Sequence, residues 1–239
     1  MKYQFRPKLI PTLATLALLP LLVHLGMWQY GKAQQKLALQ RASDAEAKLP
    51  PLELGSLIAA NMQDLQYRPV KAKGRYEPNY QILLDNQVYR ETAGYHVITP
   101  LHLAGSEVRV LVDRGWISLG RDRSLLPQID TPADMVEVSG TVWVPSTKFF
   151  TLGQPESMNG GWQTVWENLD MVRYRAAVPF EVQPFVVRLD PANAAGGYVR
   201  EWPHPSARVE TNLGYAYQWF GMAVALVAFY AVANLKKTD

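Results

Sequence analysis

Two stretches of this chain carry no formal charge, and they lie near its two ends. Residues 9–28 read LIPTLATLALLPLLVHLGMW, and residues 214–235 read GYAYQWFGMAVALVAFYAVANL. A helix of about 20 residues covers about 30 Å, the hydrocarbon thickness of a bilayer. Each run is flanked on one side by aromatics of the kind that settle at membrane interfaces, Trp28 in the first and Tyr215, Tyr217 and Trp219 in the second. The first run exceeds the roughly 7–15 apolar residues of a cleaved signal peptide, and no A-x-A site follows it. Both runs are expected to span a membrane, which places both termini on one side.

Between the spans the period changes. Residues 29–48 have helix-forming composition and extend the first helix into water, until Pro50 and Pro51 stop it. Residues 54–65 form a short amphipathic helix. From Tyr67 the pattern alternates, setting Val70, Ala72 and Gly74 against Lys71, Lys73 and Arg75. Gly74 inside a strand points to a bulge or a close backbone approach. A second strand covers residues 80–85, with a turn at Asp85-Asn86-Gln87. Residues 94–103 and 107–115 make a hairpin around Ala104-Gly105-Ser106. Further strands are expected at 135–144, 162–167 and 181–190, with a helix over 168–178 capped by Asn168 or Asp170. No strand–helix repetition suits a parallel sheet. The expected fold is an α+β membrane protein: two transmembrane helices flanking a mostly antiparallel β domain, a barrel or curled sandwich, with two or three short helices. The boundaries are a tail at 1–8, a span at 9–28, the β domain at 29–213, a span at 214–235 and a tail at 236–239.

Charge changes the picture by where it sits. The net charge is +3, yet residues 29–213 hold 19 basic and 20 acidic residues. The excess is terminal: Lys2, Arg6, Lys8, Lys236 and Lys237. A nucleic-acid-binding face is not supported. By the positive-inside tendency the termini are cytoplasmic and the β domain lies outside. The chain has no cysteine, which excludes disulfides, thiolate metal sites and a cysteine nucleophile.

Little else suggests catalysis. Nucleophile-elbow, zinc-protease, P-loop and dinucleotide motifs are all missing. His96 and His102 would share a face of an unbroken strand, as a metal site requires, but Pro100 interrupts it and no third ligand is apparent, so they read as ordinary strand histidines. Asp113-Arg114 reads as a structural ion pair or a turn. His204 lies between two prolines in a stiff loop. The aromatic-rich loop around Lys148-Phe149-Phe150 and Gly160-Gly161-Trp162 is either core or contact surface. His24 is different: it sits inside the first span, on the same helical face as Trp28, where ionisable groups are rare and usually face a partner. Haem ligation and a hydrogen bond to the other helix or to an interfacial water all remain open from the residues alone.

Several fragments resemble one family. They are Gly26-Met27-Trp28-Gln29, Tyr67-Arg68-Pro69-Val70 with Gly74-Arg75-Tyr76, and Gly94-Tyr95-His96-Val97 with Thr99-Pro100-Leu101. Val112-Asp113-Arg114-Gly115-Trp116-Ile117, Arg188-Leu189-Asp190 and the run from Leu213 to Phe220 complete the set. In this order, between two terminal spans, they resemble the Surfeit locus protein 1 family of cytochrome c oxidase assembly proteins. The resemblance implies a non-enzymatic factor in the bacterial cytoplasmic membrane, with its β domain in the periplasm. It implies the oxidase catalytic subunit as partner, with the haem a synthesis machinery beside it, and haem a as a transient cargo. The family's haem-linked histidine precedes the second helix in a pattern like Asn-x-His-Leu-x-Tyr. Here the stretch reads Glu210-Thr211-Asn212-Leu213-Gly214-Tyr215, with Asn212 at the histidine position. If the helices pack, His24 is the candidate to supply the imidazole, with Asn212 or Tyr215 as hydrogen-bonding neighbours. Trp28 and Trp219 would flank the ring, and Arg208 would meet the propionates. The alternative is a membrane-anchored periplasmic binding module unrelated to haem.

Overall fold

The computed structural model describes residues 2–55, 65–120, 125–146, 161–202 and 208–238. The expected helix over 54–65, His204, and the loop from Lys148 to Gly160 lie outside them wholly or in large part. The chain divides into two units: residues 1–42 with 203–239, and residues 43–202.

The first unit is a helical hairpin. Helix α1 (Leu9–Glu46) runs without a break from the apolar span through the polar segment after it, and Pro50 and Pro51 follow its end. Helix α3 (Val209–Asn234) is the return. Both are long and apolar enough to cross a membrane. Only 6% and 11% of their most apolar windows are buried, whereas a core helix of a soluble protein would be mostly covered. The buried positions are mainly small and recur every seven residues: Gly26 and Ala33 on α1, Ala216 and Ala223 on α3. Such residues let two backbones approach in a medium where lipid competes equally for apolar side chains. The termini add a feature the pattern did not suggest. Strand β1 (Lys2–Phe5) pairs antiparallel with β10 (Leu235–Thr238), so the chain ends are joined. Asn234 secures the junction: its Oδ1 accepts from the Lys8 backbone N–H at 2.8 Å, and its carbonyl accepts from Arg6 N–H.

The second unit is built on β strands. Strands β3 (Pro69–Tyr76), β7 (Val136–Trp143), β9 (Val182–Leu189), β6 (Arg109–Ser118) and β5 (Thr92–Leu103) are hydrogen-bonded in that order, and β5 closes back on β3. This is a closed five-stranded barrel, which removes exposed sheet edges. Three additions extend it: the two-residue β2 (Leu52–Glu53) on β3, β4 (Ile82–Tyr89) on β5, and the two-residue β8 (Val165–Trp166) on β4. Most ladders are antiparallel, but β6–β9, β2–β3 and β4–β8 are parallel. Val70, Ala72, Val110, Val112, Phe185 and Val187 fill the barrel. The alternate positions Leu111, Val182 and Val186 face outward, under helix α2 (Met171–Ala177). Asp170 caps α2, its Oδ1 accepting from the backbone N–H of Val172 and Arg173.

Three expectations are corrected. Asp85-Asn86-Gln87 is not a turn. β4 continues through it with a bulge, Asn86 taking a positive φ, and the hairpin turns instead at Arg90 and Glu91, both left-handed. Pro100 does not interrupt β5. Its carbonyl accepts from Glu77 N–H just past the end of β3, beyond the last β4 partner, so the missing N–H forgoes only the terminal bond of the β3–β5 ladder. Asp113 and Arg114 are not an ion pair. Neighbours on a strand point to opposite faces, Arg114 into the barrel and Asp113 out of it. Trp162 belongs to the core beneath α2, against Tyr80 and Tyr174, and donates its indole N–H to Gln81 O.

Candidate functional site

In the helical unit, the register between α1 and α3 decides which predicted residues meet. Asn212 lies against α1: its Oδ1 accepts from Lys36 Nζ at 2.8 Å, and its Nδ2 donates to Gln29 Oε1 at 2.7 Å. The α1 level opposite Asn212 is thus between residues 29 and 36. His24 is about 13 Å along the axis from the middle of that stretch. It is also rotated about 160° from Gly26, which faces α3. His24 and Asn212 therefore do not share a depth or a face, and the structure does not bring them together. His24 is exposed and shares the outward face with Trp28, itself 53% exposed. Tyr215 is exposed and Trp219 half-buried, one turn apart on the flank of α3. Arg208 is exposed and precedes α3 in a left-handed conformation.

In the β unit, the outer face of the barrel carries a cluster that sequence reasoning treated as ordinary. His96 Nδ1 is 2.9 Å from Asp113 Oδ2 and 3.1 Å from Oδ1. Asp113 is 1% exposed. A carboxylate only accepts, so Nδ1 is the donor in this contact, and Nε2 has no hydrogen-bond partner among the described residues. Asp113 Oδ1 also accepts from the Gly115 backbone N–H. Arg188 is the parallel-ladder partner of Asp113. Its guanidinium carbon stands 4.3 Å from the ring centre of Trp143 and 5.5 Å from that of Trp202. Burial lowers its pKa, and the nearby negative charge of Asp113 opposes that shift. Its Nε is buried without a hydrogen-bond partner among the described residues. His96, Asp113, Trp143 and Arg188 line a cleft of about 310 Å³ with Leu84, Gln87, Glu167, Asn168 and Leu169.

His102, on the same strand face, is about 20 Å along the strand from His96. It has its own partners, Glu77 at 3.5 Å and the Ser106 carbonyl at 2.7 Å. Among the described residues no group of three or more His, Asp or Glu is placed to hold a metal ion. The His96–Asp113 pair was accessible from the sequence, because the turn at Ala104–Ser106 sets Ile98 opposite Asp113 and strand alternation puts His96 on the same face. Arg188 was not, since β9 is remote in sequence and joins β6 in parallel.

A helical hairpin suited to a bilayer and a closed β barrel with a polar side cleft make this a membrane-associated protein with one β domain. The chain belongs to the SURF1 family, whose model matches residues 16–224 and so takes in most of both helices and all of the barrel. It is similar to a SURF1-like protein of Rickettsia felis, 26% identical over 226 residues, covering 92% of this chain and 95% of that one. It is similar to Surfeit locus protein 1 of Mus musculus, 23% identical over 218 residues, covering 84% of this chain and 68% of that one. Over 96 residues it is 28% identical to the cytochrome oxidase assembly protein SHY1 of Saccharomyces cerevisiae, covering 40% of this chain and 25% of that one.

Proposed function

We propose that this protein is an assembly factor for cytochrome c oxidase that assists the placing of haem a in the catalytic subunit and carries out no catalysis of its own. The observation that carries the proposal is family membership across residues 16–224, together with a relative whose name states oxidase assembly. The helical hairpin supports it, because a factor that meets a membrane subunit needs helices whose surface is free. Most of α1 and α3 is free in this way.

In this reading the hairpin spans the cytoplasmic membrane of a bacterium. The basic residues Lys2, Arg6, Lys8, Lys236 and Lys237 keep the termini in the cytoplasm, and the barrel is periplasmic. The oxidase catalytic subunit and the haem a synthesis machinery are the partners. Haem a is the cargo, and His24 is the imidazole offered to it, beside Trp28 on the outward face of α1. Asn212 is already committed to Gln29 and Lys36, so its part is to hold the hairpin. Arg208, Tyr215 and Trp219 sit toward the water boundary of α3, where propionates would lie.

The test is a strain lacking the gene, grown while the oxidase is made. Reduced-minus-oxidised spectra and oxidase turnover should both fall while haem a synthesis continues; unchanged values would overturn the assembly role. A His24→Ala protein that restores full haem a content would remove His24 from the pathway while leaving the assembly role intact. Replacing both helices by unrelated anchors should abolish function. If function survives, the barrel alone acts, as an anchored binding module.

A further inference from the structure

We propose that the cleft on the outer face of the barrel binds a small organic carboxylate, received by the guanidinium of Arg188. This goes beyond oxidase assembly and does not depend on it.

The argument starts from how Arg188 is held. Trp143 and Trp202 cover its guanidinium, which leaves the N–H-bearing rim as the part able to meet an acceptor. That rim is incompletely used: Nε is buried without a partner, and no carboxylate stands within ion-pair distance of Arg188 among the described residues. A buried donor left unsatisfied costs about 1–3 kcal/mol. Arg114, the other deeply placed arginine, shows the contrast. It donates to Gly196 O, Thr131 Oγ1 and Asp130 O and has no free side. Arg173, also stacked on a tryptophan, donates to Gln163 Oε1. Of these three, Arg188 lines the cleft, and its side chain makes no hydrogen bond among the described residues.

The cavity sets the ligand class. Its volume of about 310 Å³ lies at the low end of small-molecule sites, which run from about 300 to 1,000 Å³. Leu84, Leu169 and Trp143 form an apolar wall, and Gln87, Asn168 and His96 add polar atoms that fix orientation. The charges on the lining limit the ligand to at most one negative charge. Asp113 and Glu167 also line the cleft, so a doubly charged phosphate would meet two carboxylates, while one carboxylate is balanced by Arg188. Planar carboxylate geometry also matches the arginine fork.

The experiment uses the full chain in detergent micelles. Benzoate is the probe, with benzamide as its uncharged counterpart and inorganic phosphate as the competing anion. Titration is followed by tryptophan fluorescence, since Trp143 and Trp202 touch Arg188, and by calorimetry. Benzoate should bind saturably, and benzamide and phosphate about tenfold or more weakly. Arg188→Lys, which keeps charge but loses the fork, should weaken benzoate about tenfold. Glu167→Gln removes an exposed rim charge and should tighten benzoate several-fold without threatening the fold. Arg173→Lys should leave binding unchanged. The proposal is overturned by no saturable benzoate signal, by benzamide binding equally well, by phosphate binding more tightly, or by indifference to Glu167→Gln.

Discussion

Gly26 of α1 and Phe220 of α3 are packed so closely that a Cβ on Gly26 would stand 2.5 Å from Phe220 Cε1 and 2.7 Å from Cδ1. The two residues come from family-matching fragments at opposite ends of the chain, and this contact is where those fragments meet. Gly26→Leu should push the helices apart, at a cost of about 1–3 kcal/mol. Because the chain lacks cysteine, Gln29→Cys with Asn212→Cys gives a unique cross-linking pair. Oxidative cross-linking should fall in the Gly26→Leu background and recover when Phe220→Ala is added.

Arg114 links β6 to two remote loops, with Nε donating to Gly196 O at 2.6 Å and Nη1 to Thr131 Oγ1 at 2.8 Å. Burial lowers its pKa, and Tyr76, Tyr198 and Asp130 oppose that shift. Arg114→Met would leave these acceptors without a donor. About 3 kcal/mol of stability should be lost, since hydrogen bonds from a charged donor contribute about 1.5–3 kcal/mol each. A lower urea midpoint at an unchanged slope would show it, and a midpoint equal to that of the parent would refute it.

Tyr76 presents the opposite case. Its hydroxyl is buried without a partner among the described residues, and burial pushes its pKa up to about 12, with Arg114 pulling the other way. A raised folded-state pKa means that the unfolded chain releases the proton first. Stability is therefore complete below about pH 10 and declines as pH rises toward 12. Tyr76→Phe should match or exceed the parent near neutral pH and lose less stability between pH 10 and 12. Thermal melting across that range checks both halves of the statement.

Gly74 lies where β3 meets β5, and a Cβ there would collide with the backbone carbonyl of His102. Backbone cannot yield as a side-chain tip can. Gly74→Val should open the barrel at its closing ladder and leave a protein that amide exchange shows unprotected at Ala104, whose N–H donates to Lys73 O, and at His102, which pairs with Arg75. Protection there equal to the parent's would contradict this.

The elements that carried a clear period were legible in the sequence. The alternation over 67–76 became β3, the valines at 108, 110 and 112 became one face of a hairpin, and the uncharged runs became the hairpin helices. What escaped was long-range. The closing ladder between β3 and β5 and the parallel entry of β9 depend on pairings that no local pattern encodes. The turn at Arg90-Glu91 lacks the glycine or asparagine that usually marks left-handed pairs, while Asp85-Asn86-Gln87 carries that signature at a bulge. For the site, His24 stood out because charge at membrane depth is costly. Arg188 looked like one basic residue in a strand, and only the folded barrel shows the two tryptophans around it and the missing acceptor.

The pairing of β1 with β10 has a consequence for biosynthesis. Residues 2–5 are made long before residues 235–238, so the ribbon that joins them cannot form until both helices and the domain between them have been synthesised. Until then α1 lacks its returning partner, and the segment around Phe5 lacks the ring of Tyr230 that it packs against. Removing residues 235–238 would therefore leave the segment 2–5 without its strand partner while both helices remained.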